Sequence, residues 1–348
     1  MSQWHGFSDP LAEAGLKTGP TSGFLLVHKP SGITSFDVIR RLRRILGLKK
    51  LGHSGVLDRP ASGLLVVGLN KATRLFELFS SFRKDYEADI WLGFNTSTDD
   101  LTGELRAAGN PAGVTREAFE ESLSKYRGTF AQVPPAFSLA KKAGKEMYRY
   151  ALAGQDVQVE SRQVTIHDSR LLSFEQGVSP AVAIAEEDTC AAEGRLAAAA
   201  ARLPKLVRAR IWIRCSGGLY VRSLARDIGA DLDCGGVMGR LLRTRVGPFG
   251  LENALKLEEL ERIIQTGKDW AELILPLASV IPDDSRLELD AAQIEMVSKG
   301  QAIRGASMLR EKGPIFGVSK SGALVCILEC GDTSPDGLVE LKPVKVFI

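Results

Sequence analysis

Apolar residues recur along this chain with two spacings, one typical of strands and one typical of helices. Short apolar runs at residues 24–28 and 64–67 predict buried strands, because they are brief and bounded by Gly, Pro and polar residues. Residues 84–93 alternate apolar and polar side chains, which predicts a strand with one buried face. Tyr86 falls on the face that this alternation directs inward.

Helical spacing separates these strands. Thr34 or Ser35 is suited to cap the first helix, because a side-chain oxygen at that position accepts a hydrogen bond from an unpaired backbone N–H. Apolar residues three and four positions apart predict helices over residues 36–47, 71–80, 116–125 and 220–230.

The second half of the chain is richer in strand patterns. Residues 157–174 and 208–215 predict two more strands, while residues 175–206 are rich in alanine and are predicted to be an insertion that forms a surface helix or loop. Residues 282–290 are predicted to be a linker and a strand, and short β segments broken by glycine follow to the C-terminus.

Composition adds limits rather than a function. The 348 residues carry 45 Lys and Arg against 42 Asp and Glu, and this balance alone does not predict nucleic-acid binding. Residues 40–50 hold six basic and no acidic side chains, and residues 202–226 hold seven and none. Each stretch is suited either to a phosphate-facing surface or to an ordinary solvated face.

The remaining composition concerns metals, disulfides and location. The five cysteines lack the two-residue spacing of a zinc knuckle, and no histidine lies near one, so neither a metal site nor a disulfide framework is expected. No secretory signal precedes the first strand, and no stretch of about 18 apolar residues occurs. A cytoplasmic protein without a membrane span is therefore expected.

The most informative stretch is GHSGVLDRPASG, residues 52–63. Its glycines tolerate unusual backbone angles and Pro60 lacks a backbone donor, so Asp58 is expected on a constrained loop that leads into a core strand. An aspartate before Arg59 and Pro60 is also an ordinary turn residue.

This stretch resembles the motif around the catalytic aspartate of pseudouridine synthases, most closely the TruB family, which acts on tRNA. Residues 24–47 resemble the opening of that family, with Lys29-Pro30 at the end of a strand and Thr34-Ser35 at the start of a helix. Residues 132–154 and the segment around Tyr220 match as well, and the C-terminus resembles a PUA domain more weakly.

The resemblance implies a fold and domain limits. The catalytic unit, residues 23–280, is expected to be a pseudouridine synthase fold, α+β with a central mixed, mainly antiparallel sheet flanked by helices. Residues 1–22 are expected to be an extension, residues 175–206 an insertion in the catalytic unit, and residues 281–348 a PUA-like RNA-binding domain.

The resemblance also assigns roles to residues. Asp58 is the implied nucleophile, and the implied substrate-binding residues are His53, Tyr86, Tyr220, Arg222 and Leu241. Arg222 is the expected cationic partner of Asp58, since its planar fork suits a carboxylate. The alternative interpretations are that His53 is a turn histidine or, less favoured, a catalytic base, and that Tyr86 and Leu241 are ordinary core residues.

Two features modify this assignment. A basic helix carrying Lys141, Lys142, Lys145 and Arg149 is expected to face RNA, although an ordinary amphipathic helix has the same pattern. Gly217 stands where the family usually has Lys, and Arg59-Pro60 where bacterial members usually have Pro-Leu, which leaves one phosphate contact and the loop shape in question.

The implied function is isomerisation of uridine to pseudouridine in tRNA, at position 55 of the T loop. We expect no cofactor, no metal, no obligatory protein partner and a monomer. One alternative is a neighbouring synthase family acting on ribosomal RNA, which the Leu57-Asp58-Arg59 sequence favours. The other is a non-catalytic RNA-binding or tRNA-folding protein, against which the combination of Asp58 with two tyrosines and an arginine argues.

Overall fold

The computed structural model describes residues 22–138, 141–142, 145–147, 150, 160–185, 202–266, 270–306, 314–333, 335 and 337–348. These residues form a ten-stranded sheet, a five-stranded sheet and two small hairpins. The strands of the large sheet are β1 Gly23–Lys29, β2 Leu51–His53, β3 Ser62–Leu69, β4 Lys84–Leu92, β7 Gly128–Gln132, β10 Arg162–Val178, β11 Leu206–Cys215, β12 Gly236–Val246, β13 Phe249–Gly250 and β14 Leu255–Lys256. The hairpins pair β5 Phe94–Thr96 with β6 Leu105–Ala108, and β8 Lys141–Lys142 with β9 Lys145–Glu146.

The helices of the catalytic unit cover the large sheet. The α-helices are α1 Ser35–Leu46, α2 Arg116–Lys125, α3 Pro180–Ala185, α4 Val221–Asp231 and α5 Leu257–Gln265. The long 3-10 helix is Asn70–Ser80, and short 3-10 turns span Leu251–Asn253, Trp270–Leu273 and Leu277–Val280. Thr34, rather than Ser35, caps α1, because its side chain accepts from the Asp37 N–H while the Asp37 carboxylate accepts from the Thr34 N–H. The helix predicted over 71–80 is present as a 3-10 helix.

The large sheet has the strand order β14-β1-β3-β12-β4-β11-β10-β7. Strands β1 and β14, and strands β3 and β12, run parallel, whereas the other pairs along this path are antiparallel. The predicted mixed, mainly antiparallel sheet is therefore confirmed. The parallel pairing of β3 with β12 joins segments about 180 residues apart and sets Gly63 beside Arg243.

Strand β4 differs from its prediction, because both of its faces are buried. It lies between β12 and β11, and Asp85, Asp89 and Trp91 on the supposed outer face are 4%, 1% and 1% exposed. Trp91 packs in an apolar cluster with Ala183 of α3. Burial of the two aspartates is tolerated because arginines of β11 form ion pairs with them, which offsets the cost of removing their charges from water.

These pairs also bear on residues 202–226, for which a phosphate-facing surface and an ordinary solvated face were both open. Arg208 and Arg210 each lie 2.8 Å from Asp89, and Arg214 lies 2.8 Å from Asp85. Much of the positive charge of this segment is therefore neutralised within the protein, and alternation along β11 places it beside buried carboxylates of β4.

Two further predictions are wrong in part. The basic helix does not begin at Lys141, because β8 and β9 pair there as a hairpin, and Gly144 between them in sequence is a poor helix former; Arg149 lies outside the described residues. The surface helix or loop predicted for residues 175–206 is wrong at both ends, since β10 continues to Val178 and β11 begins at Leu206, while the insertion itself stays a prediction. Its residues 186–201 lie outside the described ranges.

A separate β unit follows the catalytic fold. It contains β15 Arg286–Leu289, α6 Ala291–Ser298, β16 Ile303–Ala306, β17 Ile315–Ser319, β18 Leu324–Thr333 and β19 Leu338–Val346, with sheet order β15-β17-β18-β19-β16. The short β segments were expected, whereas α6, which Asp290 caps, was not. The Lys71 Nζ donates to the Phe347 carbonyl at 2.9 Å and joins this unit to the 3-10 helix. The predicted domain limits, including the extension 1–22, of which only residue 22 is described, stay predictions.

Candidate active site

The loop carrying Asp58 is fixed from both sides by the segment that joins β1 to α1. The Gly32 N–H donates to the Arg59 carbonyl at 2.9 Å, and the Ser31 hydroxyl donates to the Pro60 carbonyl at 2.8 Å. The Ser35 hydroxyl accepts from the Leu57 N–H at 2.9 Å and donates to the Leu57 carbonyl at 3.2 Å. The residues before and after Asp58 are therefore both tied to α1 and its entry.

Lys29 completes this clamp from inside. Its side chain is fully buried at 0% exposure, and its Nζ donates to the carbonyls of Pro30, Ile33 and Arg59 at 2.9, 2.7 and 3.3 Å. A buried ammonium needs such acceptors, because its desolvation is otherwise costly. The Lys29-Pro30 pair that the sequence placed at a strand end thus holds the backbone next to Asp58.

Asp58 faces Arg222, as expected from the sequence. The Arg222 Nε lies 2.9 Å from the Asp58 Oδ2, and the same nitrogen lies 3.7 Å from Asp100 Oδ2. Arg222 also donates to the Thr98 carbonyl at 3.2 Å and the Phe137 carbonyl at 3.0 Å. These contacts fix the guanidinium in the first turn of α4, so its orientation toward Asp58 is preorganised.

Burial and charge act on Asp58 in opposite directions. Burial raises the pKa of the Asp58 carboxyl, the Arg222 guanidinium lowers it, and the nearby Asp100 raises it again; the net direction is upward. Its side chain nevertheless keeps 37% of its surface exposed toward the cavity. The carboxylate is thus reachable by a ligand and more basic than an ordinary aspartate.

Asp58 opens into a cavity of about 570 Å³. Its wall includes five of the six residues expected in the site, namely Asp58, Tyr86, Tyr220, Arg222 and Leu241. The sixth, His53, is not in the wall; it ends β2, next to Ser54, which is. The His53 Nδ1 is buried without a hydrogen-bond partner among the described residues, and burial lowers the pKa of this imidazole.

Separate elements set the aromatic and aliphatic walls. Tyr86 comes from β4 and is 8% exposed, and burial raises the pKa of its phenol, so it remains neutral. Leu241 comes from β12 and is 7% exposed. Tyr220 caps α4, and its backbone N–H and carbonyl both pair with the side-chain amide of Gln132, at 2.9 and 3.1 Å. The strands and helix meet so that two rings and a leucine surround the carboxylate.

Two buried cations of the wall escaped the sequence analysis. Arg243 is 1% exposed and donates to the Leu64 carbonyl at 2.8 Å and the Gly55 carbonyl at 3.2 Å. Lys84 donates to the carbonyls of Phe79 and Phe82, both at 3.2 Å, and burial lowers the pKa of its ammonium. Arg243 links the start of β3 to the loop before Asp58. Its place among the other basic residues of β12 gave no indication of this buried role.

The two departures from the family pattern are accommodated. The Arg59 Nε donates to the Gly32 carbonyl at 3.0 Å, so Arg59 strengthens the clamp around the loop. A side chain at Gly217 would place its Cβ 2.5 Å from the Ser80 carbonyl oxygen and 3.3 Å from Lys84 Nζ. Gly217 therefore permits a close approach of the loop to the 3-10 helix Asn70–Ser80, and Lys84 supplies a cation next to this glycine.

The arrangement places a carboxylate beside a guanidinium in the wall of a partly apolar chamber, and a carboxylate so placed can act as a nucleophile or as a base. An ionised Asp58 is stabilised by a fixed guanidinium, and the tyrosines offer faces against which a planar ring stacks.

In the part of the chain that the structure describes, no helix is long and apolar enough to span a membrane.

Comparison with known proteins identifies the family models and the relatives that this chain resembles. The model of the TruB family pseudouridylate synthase N-terminal domain matches residues 43–190, and the tRNA pseudouridylate synthase B C-terminal domain matches residues 222–281. The tRNA pseudouridine synthase B of Mycobacteroides abscessus is 35% identical over 97% of this chain and 100% of its own length. That of Thermobifida fusca is 36% identical over 93% of this chain and 98% of its own.

Solved structures share the fold at lower identity. An H/ACA RNP bound to a substrate RNA containing 2′-deoxyuridine aligns with a TM-score of 0.64 and 21% identity, over 94% of this chain and 85% of that one. The archaeal box H/ACA sRNP Nop10-Cbf5 complex aligns with a TM-score of 0.62 and 18% identity, over 94% and 86%.

Proposed function

The chain belongs to the TruB family of pseudouridylate synthases and isomerises uridine to pseudouridine in tRNA, and we propose that its target is position 55 of the T loop. We further propose that Asp58 is the nucleophile. The observation that carries this assignment is the 2.9 Å ion pair between Asp58 and Arg222 at the wall of a cavity that two tyrosines also line. Binding alone would not require a carboxylate in that position.

The reaction exchanges one bond to ribose for another and needs no net oxidation. In our proposal an Asp58 oxygen attacks either the ribose C1′ or the uracil C6, and the N1–C1′ bond breaks. The uracil turns, and a bond forms between C5 and C1′. If the Asp58 oxygen was bound to C1′, this step displaces it as a carboxylate; if it was bound to C6, the C6–O bond breaks afterwards and releases it. A base removes the proton from C5, and N1 gains one. Arg222 keeps Asp58 ionised before attack and orients it.

The target nucleotide has to leave its stack to reach Asp58, as is usual for enzymes that act on bases. Tyr86 is proposed to stack on the extruded uracil, and Tyr220 and Leu241 to confine it. Arg222 contributes to binding as well as to the ionisation of Asp58. His53 is proposed to contact the RNA next to the target, since it lies one residue outside the cavity wall.

The proposal extends to the state in which the enzyme acts. It functions in the cytoplasm as a monomer, without cofactor, metal or obligatory protein partner, and the terminal β unit, a PUA-like domain, contributes RNA contacts. Light scattering of the pure protein alone and with one equivalent of tRNA tests the monomer: a single protein mass plus one tRNA is expected, and a dimer mass would contradict it.

The decisive assay maps pseudouridine in an unmodified tRNA transcript after incubation with the pure protein in buffer containing a chelator and no cofactor. Product at position 55, and none in a transcript with cytidine there, is expected. Modification of ribosomal RNA fragments but not of tRNA would support the neighbouring synthase family instead. Tight binding with no product in any RNA would support a non-catalytic RNA-binding protein.

A further inference from the structure

Two large apolar side chains lie exposed near the loop that carries Asp58. Phe36 is 61% exposed and Val56 is 49% exposed, although aromatic and β-branched side chains of this size are usually buried. The backbone segments that carry them are neighbours, because the hydroxyl of Ser35, which precedes Phe36, makes two hydrogen bonds to the backbone of Leu57, which follows Val56. Val56 itself belongs to the cavity wall. Phe36 and Val56, here called the apolar rim, therefore connect the start of α1 to the wall of the chamber that contains Asp58.

Cations extend this rim along α1. Phe36, Arg40 and Arg44 are spaced four residues apart, so they lie on one helix face, about 6 Å apart along its axis. Arg44 is exposed, and Arg40 is 72% exposed while it pairs with Asp37. This stripe begins with an aromatic ring beside the active site and continues with two guanidinium groups.

The other basic side chains of α1 have internal partners and do not belong to this stripe. Arg41 pairs with Glu261 of α5 at 2.5 Å, and Arg43 donates to the Leu51 carbonyl at 2.9 Å. Arg41 and Arg43 thus contact other elements of the fold, whereas Arg40 pairs with Asp37 of the same helix and Arg44 is exposed beside it. The C-terminal turn of a helix favours cations in general, which explains Arg44 in part but not the aromatic at the other end.

We propose that Phe36, Val56, Arg40 and Arg44 form an RNA-binding stripe that holds the unpaired nucleotides adjacent to the target uridine. A base stacks on Phe36 against Val56, and the phosphates that follow it pair with Arg40 and Arg44. The occupant is RNA rather than protein because the stripe combines an aromatic face with exposed guanidinium groups, the pairing that single-stranded nucleic acid selects. The proposal rests on the proposed function, since the occupied cavity sets which nucleotides reach the stripe.

The test separates affinity from chemistry. Dissociation constants for the tRNA are measured at several salt concentrations, alongside single-turnover rates at saturating enzyme, for wild type, Phe36→Ala, Phe36→Trp and the double variant R40Q/R44Q. Leu172→Ala, at 47% exposure, and R116Q/R170Q, from exposed ion pairs, are the matched controls.

Phe36→Ala is expected to weaken binding about fivefold or more without changing the salt slope, and Phe36→Trp to retain it. R40Q/R44Q is expected to reduce the slope of log affinity against log salt by about 1.4, at about 0.7 per contact to a single strand. The rate of the saturated complex stays within about twofold of wild type in each variant, because the stripe binds RNA and does not touch the reacting atoms.

Affinities and slopes equal to wild type, or changed as much in the controls, would overturn the proposal. A loss of dimerisation in Phe36→Ala with unaltered RNA affinity would assign the face to a second copy of the chain and overturn it as well. Absence of pseudouridine with wild type, together with the expected affinity changes, would refute the proposed activity while leaving the stripe as an RNA contact.

Discussion

The clamp between Ser35 and Leu57 offers a sharp test of how the fold positions Asp58. Ser35→Ala removes a buried hydroxyl that makes two hydrogen bonds, at 2.9 and 3.2 Å, to the residue before Asp58. Leu57 is 3% exposed, so its N–H and carbonyl would be left without replacement by bulk water. An unsatisfied buried polar group costs about 1–3 kcal/mol, and we expect a loss of about 2 kcal/mol in the free energy of unfolding.

The neighbouring residue supplies a matched control. Thr34→Ala removes the cap of the same helix but no contact to the Asp58 loop, and such cap losses cost about 1 kcal/mol. Both variants are therefore destabilised, Ser35→Ala by about 2 kcal/mol and Thr34→Ala by about 1 kcal/mol, and urea unfolding measures each loss. Only Ser35→Ala releases the loop, and displacement of a reacting group by about 1 Å lowers rates about 100-fold.

The assay is the single-turnover rate of pseudouridine formation with saturating enzyme, at a temperature where both variants remain folded. We expect Ser35→Ala to be at least about tenfold slower than wild type and Thr34→Ala to match wild type. A Ser35→Ala rate within twofold of wild type, or equal slowing in both variants, would refute the reasoning that this hydroxyl positions Asp58.

Three further predictions concern the site and its support. Arg222→Gln removes the guanidinium that lowers the pKa of Asp58; since the carboxylate must be ionised to attack, the acidic limb of the rate profile should move to higher pH, and an unmoved limb would contradict the pairing. Gly63→Ala would put a Cβ 2.3 Å from the Arg243 carbonyl oxygen at a φ of +110°, so urea unfolding should show a loss of about 2 kcal/mol or more, and a neutral effect would contradict this. Lys29→Met leaves three carbonyls without their donor and should cost about 3 kcal/mol or more, whereas unchanged stability would show that water replaces the ammonium.

Local pattern was sufficient for elements whose stability is local. Helix α2 spans Arg116–Lys125, as its apolar spacing predicted, and β1 and β3 contain the apolar runs that marked them. Strand β4 was misjudged because its polar face looked solvent-exposed in sequence. Its burial depends on arginines of β11 more than 100 residues away, a pairing that no local period reveals.

The candidate site divides in the same way. Asp58, Tyr86, Tyr220, Arg222 and Leu241 were named from motifs and lie around one cavity, although their roles stay proposals. Arg243 and Lys84 were missed because buried cations look like surface residues until their carbonyl partners are known. The available signal in the sequence was Gly63, since a glycine at the start of a core strand indicates that another backbone approaches closely. In the structure that backbone is Arg243 of β12.

The most direct test of the central proposal replaces the carboxylate oxygen that attacks. Asp58→Asn keeps the size of the side chain but removes the nucleophile, and Asp168→Asn, a half-exposed carboxylate in an ion pair with Arg170, is the control. Pseudouridine formation in a single turnover should be abolished in Asp58→Asn, while the dissociation constant for tRNA stays within about twofold of wild type. Product formation by Asp58→Asn at the wild-type rate would contradict the assignment of Asp58 as nucleophile.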